Sequence, residues 1–294
     1  MIKFLKKLLL YAILCNITPF SFAGNIIFDM HGVLIENNDF VTYTAVTSKI
    51  LSSKEWSLFD RSLLATNFKI KKRLFEFMNL IVPRDAHEVD STIGKGQPMP
   101  QLMCNWLKGS LSPGEIAGIV HQGIATSQDF FSSTLEKVII ETIMHKIFSP
   151  ASFIKTQQWI REGVKLVKEC KAKGHKIFIL SNWDSNSFEL LKQRCPSFFA
   201  LFDGIVISGD VRAIKPDPAI YQHLLDTYSL KADECAFIDD LEENIKAAEQ
   251  LGIFGIHLRK KQGLVVPWQC KQDYATARKK LAAWEEAFPA FQPV

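Results

Sequence analysis

The chain has 294 residues, of which 47% are hydrophobic and 22% charged, a composition typical of a globular protein rather than a disordered or fibrous one. Three of its four net positive charges come from the lysines of the first 23 residues, which contain no acidic residue. The rest of the chain is therefore nearly neutral, which excludes the strongly basic surface typical of nucleic-acid binding proteins. The sequence does not specify an oligomeric state.

The first 23 residues have the pattern of a secretory signal peptide. Their lysines give a positive start, residues 8–17 are mostly apolar, and residues 21–23 (Ser-Phe-Ala) place small residues where a signal peptidase cleaves. The apolar run is too short to span a bilayer, which takes roughly 20 residues. We predict cleavage after Ala23, a secreted or periplasmic mature protein and no stable membrane span. An uncleaved amphipathic or anchoring helix is the alternative.

The first predicted strand is Ile26–Phe28, which ends at Asp29. A short apolar run bounded by a turn signal is typical of a buried strand, and Gly32 lets the backbone turn away after it. In an open parallel sheet, ligands bind at the carboxyl ends of the strands. Asp29 is therefore the first candidate site residue.

Residues 39–149 show little strand character. Windows such as 131–142 place apolar residues at helical spacing, whereas Pro83, residues 94–98 and residues 112–114 interrupt that pattern. We predict several helices joined by turns, inserted as a separate domain. Its aromatic residues are expected to form the core of that domain rather than a ligand site.

Helices and strands alternate from about residue 150 to residue 260. A helical stripe ends at Gly174, a glycine in the position that often closes a helix. The strands that follow are predicted at 177–180, 204–207, 236–238 and 255–258. Such alternation predicts right-handed crossovers and a Rossmann-like parallel α/β sheet covered by helices on both faces. Residues 24–38 and 150–260 would form this core, and 261–294 a C-terminal helical extension packed on it.

Polar residues follow successive predicted strands. Ser181 and Asn182 follow the second strand, Lys215 lies after the third, and Asp239-Asp240 follow the fourth. The carboxyl ends of parallel strands share one edge of the sheet, so we expect these side chains to meet Asp29 there.

Three carboxylates at one edge would repel one another and raise each other's pKa values. Mg²⁺, the usual hard ion for such a sparse set of carboxylates, removes that conflict. Lys215 and the hydroxyl of Ser181 would suit the charge that spreads over phosphoryl oxygens during transfer. Asp29 is then the predicted nucleophile, which forms an aspartyl-phosphate that water hydrolyses.

Each of these residues also has a purely structural explanation. Asp240 could cap the helix that starts near Leu241, and Ser181 or Asn182 could cap the helix that follows them. Lys215, which precedes a proline, could be a solvated turn residue. Their ordered appearance after successive strands is what favours a shared site.

The segments FDMHG, ILSN, IKPDPAIY and FIDDLEENIKAAEQLGI resemble the four motifs of the haloacid dehalogenase (HAD) superfamily. The helical insertion after the first motif resembles the C1 cap of one subfamily, although only its placement matches. The core resemblance covers residues 25–38 and about 150–260. It implies an HAD-like fold in which the first strand is central, flanked by the strands at 177–180 and 236–238.

The resemblance also implies roles for the candidate residues. Asp29 would be the nucleophile, Ser181 with Asn182 beside it would bind the phosphoryl group of the substrate, and Lys215 would steady nucleophile and phosphate. The inserted cap would close over the core, exclude water and select the substrate.

The metal site implied by the resemblance involves the first and last motifs. Asp240, with Asp239 beside it, would hold Mg²⁺ together with the Asp29 carboxylate and the backbone carbonyl of His31.

One position departs from the pattern of the family's phosphatases, which usually carry a second Asp two residues after the nucleophile as general acid and base. That position is His31, which would face the same site as Asp29, since residues i and i+2 of an extended backbone point the same way. An imidazole can protonate a leaving alkoxide and activate water near neutral pH.

We therefore predict an exported, Mg²⁺-dependent phosphatase for small phosphate esters, with His31 in the acid/base position. A catalytically silent secreted binding protein is one alternative, because His31 replaces the usual acid. A dehalogenase-type hydrolase is another, but its members typically carry Tyr at that position and lack paired acids such as Asp239-Asp240.

Overall fold

The computed structural model of the protein describes residues 24–38, 67–83, 98–261 and 271–287. The predicted signal peptide, residues 39–66 and 84–97 of the predicted cap, and residues 262–270 and 288–294 of the predicted C-terminal extension lie outside these ranges. Within them, no helix combines the length and the apolar character that crossing a membrane would take.

A parallel sheet forms the centre of the fold. In chain order the strands are β1 (Asn25–Phe28), β2 (Ile35–Asn37), β3 (Gln157–Trp159), β4 (Lys176–Ser181), β5 (Gly204–Ile207), β6 (Cys235–Asp239), β7 (Phe254–His257), β8 (Lys260–Lys261) and β9 (Lys271–Gln272). Five of them pair in parallel in the order β5-β4-β1-β6-β7. The first strand therefore lies between β4 and β6, which confirms the α/β fold expected from the resemblance.

The helices surround this sheet and form the inserted segment. In chain order they are α1 (Asn67–Ile81), α2 (Gln101–Leu107), α3 (Pro113–Thr126), α4 (Thr134–Phe148), α5 (Pro150–Lys155), α6 (Arg161–Ala172), α7 (Ser185–Arg194), α8 (Pro196–Phe199), α9 (Ser208–Val211), α10 (Pro218–Tyr228), α11 (Glu242–Gln250) and α12 (Tyr274–Ala287). Short 3₁₀ segments lie at Gln128–Phe130 and Ala232–Glu234. The interruption predicted at residues 112–114 is the start of α3, where Ser112 and Glu115 form a reciprocal capping box.

Alternate residues of β1 point to opposite faces of the sheet, as the pleat requires. Ile26 and Phe28 are buried in a cluster with residues of α6, α7 and α12. Ile27 is buried on the other face with residues of α10 and α11. Helices thus cover both faces, so that the strands are buried on both sides and only their ends are accessible to a ligand.

The inserted helices α1 to α4 share an apolar cluster, which includes Phe75 and Phe77 as the sequence predicted and also Ile214 from the loop between α9 and α10. Phe153 of α5 packs against this core and also against the cluster under the sheet. Its ring centroid lies 5.2 Å from that of Trp106 in α2 and 5.4 Å from that of Trp183, which follows β4. A chain of three aromatic rings therefore connects the inserted helices to the loop that carries the β4 site residues.

Two short antiparallel ribbons, β2–β3 and β8–β9, were not predicted from the sequence. In the first, Ile35 pairs with Trp159, which ties the segment after β1 to the segment before α6. In the second, Lys260 pairs with Gln272, which returns the chain to the sheet edge before α12 begins.

Candidate active site

The predicted site residues meet at the carboxyl edge of the central strands. Asp29 follows β1, Ser181 ends β4, and Asp239 ends β6, so three adjacent parallel strands deliver them to one place. Lys215 enters from the loop between α9 and α10.

Asp29 is held by two donors and is only 6% exposed. Its Oδ1 accepts a hydrogen bond from the Ser181 hydroxyl at 2.9 Å and lies 2.8 Å from the Lys215 ammonium nitrogen. Among the described residues, none donates a hydrogen bond to Oδ2. One carboxylate oxygen is thus fixed in place while the other is available to a reactant or an ion.

Lys215 is 2% exposed, which excludes the solvated turn residue considered from the sequence. The three hydrogens of its ammonium group match three acceptors: Asp29 Oδ1 at 2.8 Å, Asp239 Oδ2 at 2.7 Å and the Leu180 carbonyl at 2.9 Å. Burial by itself disfavours the charged form, but the carboxylates of Asp239 and Asp29 outweigh it and raise the pKa of Lys215. The ammonium is therefore a permanent positive charge beside the predicted nucleophile.

Asn182 positions the loop that carries Lys215. Its Oδ1 accepts a hydrogen bond from the Lys215 backbone amide at 2.8 Å, and its Nδ2 donates to the Lys215 carbonyl at 3.0 Å. Asp184, not Ser181 or Asn182, caps the following helix, since its carboxylate accepts a hydrogen bond from the Ser187 amide. The capping explanation for Ser181 and Asn182 was thus wrong.

Asp239 is fully buried and its oxygens are occupied by protein donors. Oδ1 accepts from the Leu241 amide at 2.8 Å and from Asn244 Nδ2 at 3.1 Å, and Oδ2 lies 2.7 Å from Lys215. It is therefore Asp239 rather than Asp240 that satisfies the amide at the start of α11, and the capping explanation for Asp240 was also wrong.

Asp240 lies at the mouth of the site, and its side chain is mostly buried. Its carboxylate occupies space beside Gly32, where a Cβ atom would lie 2.3 Å from Oδ2. Only glycine fits there, and the positive φ of 84° adds to that requirement. Burial and the negative charge of Asp239 raise the pKa of Asp240, whereas Lys260 and His31 oppose that rise.

His31 belongs to the tight turn that follows Asp29. The carbonyl of Met30 accepts hydrogen bonds from the amides of Leu34 at 2.7 Å and Ile35 at 2.9 Å, which closes the turn. Met30 is fully buried in the core, whereas His31 is partly exposed and close enough to Asp240 to influence its pKa. The turn therefore places His31 next to Gly32, beside which the Asp240 carboxylate lies.

The donor set fits a hard divalent cation. Carboxylate oxygens of Asp29, Asp239 and Asp240 lie within 4.8 Å of one another, and the glycine at position 32 makes room for the third of them. Mg²⁺ prefers such oxygen ligands and retains several waters. Asp29 and Asp240, with the carbonyl of His31, would hold the ion, whereas Asp239 is committed to Lys215 and Asn244.

Three residues that contact the site were not singled out from the sequence. Asn244 lies in the first turn of α11. Its position shortly after the paired acids is the feature of the sequence that could have identified it as a site residue. Lys260 lies 3.3 Å from Asp240 Oδ2, and Gln272 donates to the Gly32 carbonyl at 3.1 Å. No sequence pattern identifies Lys260 or Gln272, because each lies in a strand of two residues.

A family model described as haloacid dehalogenase-like hydrolase matches residues 24–252, which contain every site residue predicted from the sequence. The chain is a haloacid dehalogenase-like hydrolase. The candidate site described above lies wholly within the matched residues.

Characterised relatives match parts of this HAD-like hydrolase. A sesquiterpene phosphatase, astK, of Aspergillus oryzae is 32% identical over 111 residues, which are 37% of this chain and 56% of that protein. Bifunctional epoxide hydrolase 2 of Rattus norvegicus is 37% identical over 117 residues, or 39% of this chain and 21% of that protein. The chain thus matches about half of the first relative and about a fifth of the second.

Solved structures that match this chain include an HAD family enzyme and a dehalogenase. An HAD family enzyme of Bacteroides thetaiotaomicron, in complex with magnesium and inorganic phosphate, has a TM-score of 0.47 at 16% identity and covers 81% of this chain and 94% of its own. A dehalogenase has a TM-score of 0.47 at 14% identity, with coverage of 82% and 87%.

Proposed function

We propose that this HAD-like hydrolase is an exported, Mg²⁺-dependent phosphatase that hydrolyses small phosphate esters through an aspartyl-phosphate on Asp29. The observation that carries the proposal is the contact of Asp29 Oδ1 with both Lys215 and Ser181 in a buried site, beside the Asp240 carboxylate. Because these contacts already fix the carboxylate before the reaction, it loses little conformational freedom when the transition state forms.

The first half of the reaction forms the acyl phosphate. An oxygen of Asp29 attacks phosphorus, the bond to the ester oxygen breaks, and the alcohol leaves with a proton. The Lys215 ammonium lies where it can stabilise the phosphoryl oxygens as well as Asp29, and the Ser181 hydroxyl orients the carboxylate. Bound Mg²⁺ would neutralise the carboxylates and the charge on the transferred group.

The second half returns the enzyme to its starting state. Water attacks phosphorus, inorganic phosphate leaves, and the Asp29 carboxylate is restored. His31 would donate the proton to the leaving alkoxide in the first step and accept one from water in the second, as a single residue serves as acid and then base. Its place in the turn next to Gly32, beside which the Asp240 carboxylate lies, supports this role.

Similarity to a phosphatase supports phosphate esters over halogenated substrates. The sesquiterpene phosphatase of Aspergillus oryzae is one of the relatives that this chain matches. The acids Asp239 and Asp240, whose carboxylate oxygens lie close to those of Asp29, also favour chemistry with a cation over metal-free attack on carbon.

The second candidate is a secreted protein that binds phosphate esters without turning them over. His31 favours it, because an imidazole replaces the carboxylic acid usual in phosphatases that resemble this chain. Such a protein would bind inorganic phosphate in the presence of Mg²⁺ and show no turnover on any ester of a broad panel.

We predict that Asp29→Asn lowers phosphatase activity by about a thousandfold or more, since an amide cannot form the acyl phosphate. Release of inorganic phosphate from a panel of small phosphate esters, with Mg²⁺ and with EDTA, measures it. Asp226→Asn is the matched control, because Asp226 lies on the exposed side of α10 and its carboxylate accepts a hydrogen bond from Gln222 in its own helix. Full Mg²⁺-dependent activity of Asp29→Asn would disprove the proposal, and binding without turnover by the wild type would select the second candidate.

Export has its own test. The proposed signal peptide predicts that the mature protein begins at Gly24, the residue immediately before β1. Intact-mass spectrometry of the protein recovered outside the cytoplasm should give the mass of residues 24–294. Recovery there of a chain that still starts at Met1 would contradict cleavage.

A further inference from the structure

The β8–β9 ribbon presents one pair of facing residues to the active site. Lys260 and Gln272 are directly opposite each other in the antiparallel register, so their side chains lie on the same face of the ribbon. The Lys260 ammonium nitrogen lies 3.3 Å from Asp240 Oδ2, and Gln272 donates to the Gly32 carbonyl at 3.1 Å. Both contacts reach groups that flank the proposed metal position.

The ribbon is anchored at its end, which fixes the place of Lys260. The Asp273 amide donates to the Arg259 carbonyl at 2.8 Å, and the Tyr274 hydroxyl donates to the carbonyl of Val33, in the turn after Asp29. Tyr274 is buried and begins α12, which packs under the sheet. The main chain of Lys260 is therefore held beside the site, while half of its side chain remains exposed, at 50%.

The charges of the site divide into two sets. Lys215 contacts Asp29 and Asp239, whose carboxylates it partly neutralises. Asp240 is not a partner of Lys215, and its ion pair is with Lys260. A divalent cation between Asp29 and Asp240 would need the same carboxylate that the Lys260 ammonium contacts, and two cations at that distance repel each other.

We propose that Lys260 is the counter-ion of Asp240 in the metal-free enzyme and competes with magnesium for that carboxylate. Binding of magnesium displaces the ammonium toward solvent, so Lys260 sets the magnesium concentration at which the site fills. The inference rests on the metal dependence in the proposed function. The Lys260 ammonium and Mg²⁺ share the Asp240 carboxylate. The ammonium therefore weakens Mg²⁺ binding by the same factor as Mg²⁺ weakens the ion pair between Lys260 and Asp240.

The test is titration of Mg²⁺ into the metal-free full chain, measured by isothermal titration calorimetry. Lys260→Met is expected to lower the Kd for Mg²⁺ roughly tenfold, which is within the usual range of coupling between two sites. Lys260→Arg keeps the charge and should bind Mg²⁺ with nearly the wild-type Kd. In EDTA, Lys260→Met should melt at a lower temperature than wild type, because Asp240 has lost its counter-ion, and saturating Mg²⁺ should remove most of that difference.

Lys246→Met is the matched control for the loss of one nearby positive charge. Lys246 lies on α11, the helix that follows Asp240, and its ammonium contacts Glu242 at 2.9 Å with the side chain 66% exposed. A Kd for Lys260→Met that shifts no more than that of Lys246→Met would overturn the inference and leave the proposed function intact. A wild-type chain that takes up no Mg²⁺ would overturn both.

Discussion

Lys215 determines the electrostatics of the active site at the scale of single residues. Burial of an ion costs several kcal/mol, and only close partners offset that cost. Its partners are two carboxylates and a carbonyl within 2.9 Å, contributed by three different strands or strand ends. The same ammonium therefore joins the strands of the site and fixes the position of Asp29 Oδ1.

His31 gives a prediction that concerns proton transfer. In His31→Asp, the acidic limb of the pH–rate profile should move down by roughly two to three pH units, because a carboxyl group titrates lower than an imidazole by that amount. Initial rates on one good ester substrate between about pH 4 and about pH 9, at saturating Mg²⁺, measure the shift.

The control for this prediction is His223→Asn, a change in an exposed histidine of α10. Its profile should coincide with that of the wild type. If His31→Asp also left the profile where it was, His31 would not be the acid or base, and another group would have to move the proton.

Residue types predicted most of the site but not its contacts. The sequence was enough to place Asp29, Ser181 and Asp239 together, because each lies at the end of a strand that can be recognised by its apolar run. The sequence could not show that Asp239 contacts Lys215 while Asp240 remains for a metal ion, since this depends on which side chain points toward Lys215. Likewise, the bond between Asn182 and the backbone of Lys215 joins residues that are distant in the chain.

Strand length decides how well the elements were predicted. β5 was predicted with the observed limits, and β4 and β6 within one residue at each end, because most of their residues are buried and apolar. The strands of the β8–β9 ribbon have two polar residues each, which leaves neither alternation nor an apolar run to detect. Polar segments of this kind escape sequence analysis even where they contact the active site.

His175 joins three elements and gives the structure a pH-dependent contact. Its Nδ1 accepts a hydrogen bond from the Gly24 amide at 3.3 Å, and its Nε2 lies 2.9 Å from Glu285 of α12. Burial lowers the pKa of His175, although Glu285 and the contact with Gly24 oppose this effect. The folded protein therefore binds a proton at His175 less readily than the unfolded chain does.

This linkage predicts that His175 lowers stability in acid. Its contribution is complete above the unfolded pKa of about 6.5 and is lost as the pH falls through the lower folded value. The free energy of unfolding in urea should therefore fall between about pH 7.5 and about pH 5, and by less in His175→Gln than in the wild type. His223→Asn, in which the histidine is exposed, should follow the wild-type curve, and an equal fall in all three proteins would contradict the linkage.

At the scale of the whole molecule, the aromatic contacts of Phe153 join the inserted helices to the sheet domain. Phe153→Ala should lower the free energy of unfolding by about 2 to 3 kcal/mol, because both apolar clusters lose contacts. Urea denaturation followed by far-UV circular dichroism measures the loss.

Phe254→Ala is a suitable comparison for this prediction. Phe254 is 38% exposed and, among the described residues, its ring stacks on that of Trp284. We expect this variant to lose about 1 kcal/mol or less. Equal losses in the two variants would show that Phe153 does not connect the two parts of the molecule.

The middle position of β1 has a consequence for how the protein is made. Asn25 pairs with Lys176 on one side and with Cys235 on the other, so neither neighbour exists when β1 leaves the ribosome. Pairings between such distant segments form slowly, because large loops must close first. β1 therefore precedes both of its partner strands in the chain, and its pairing on both sides is complete only after residues 235–239 have been synthesised.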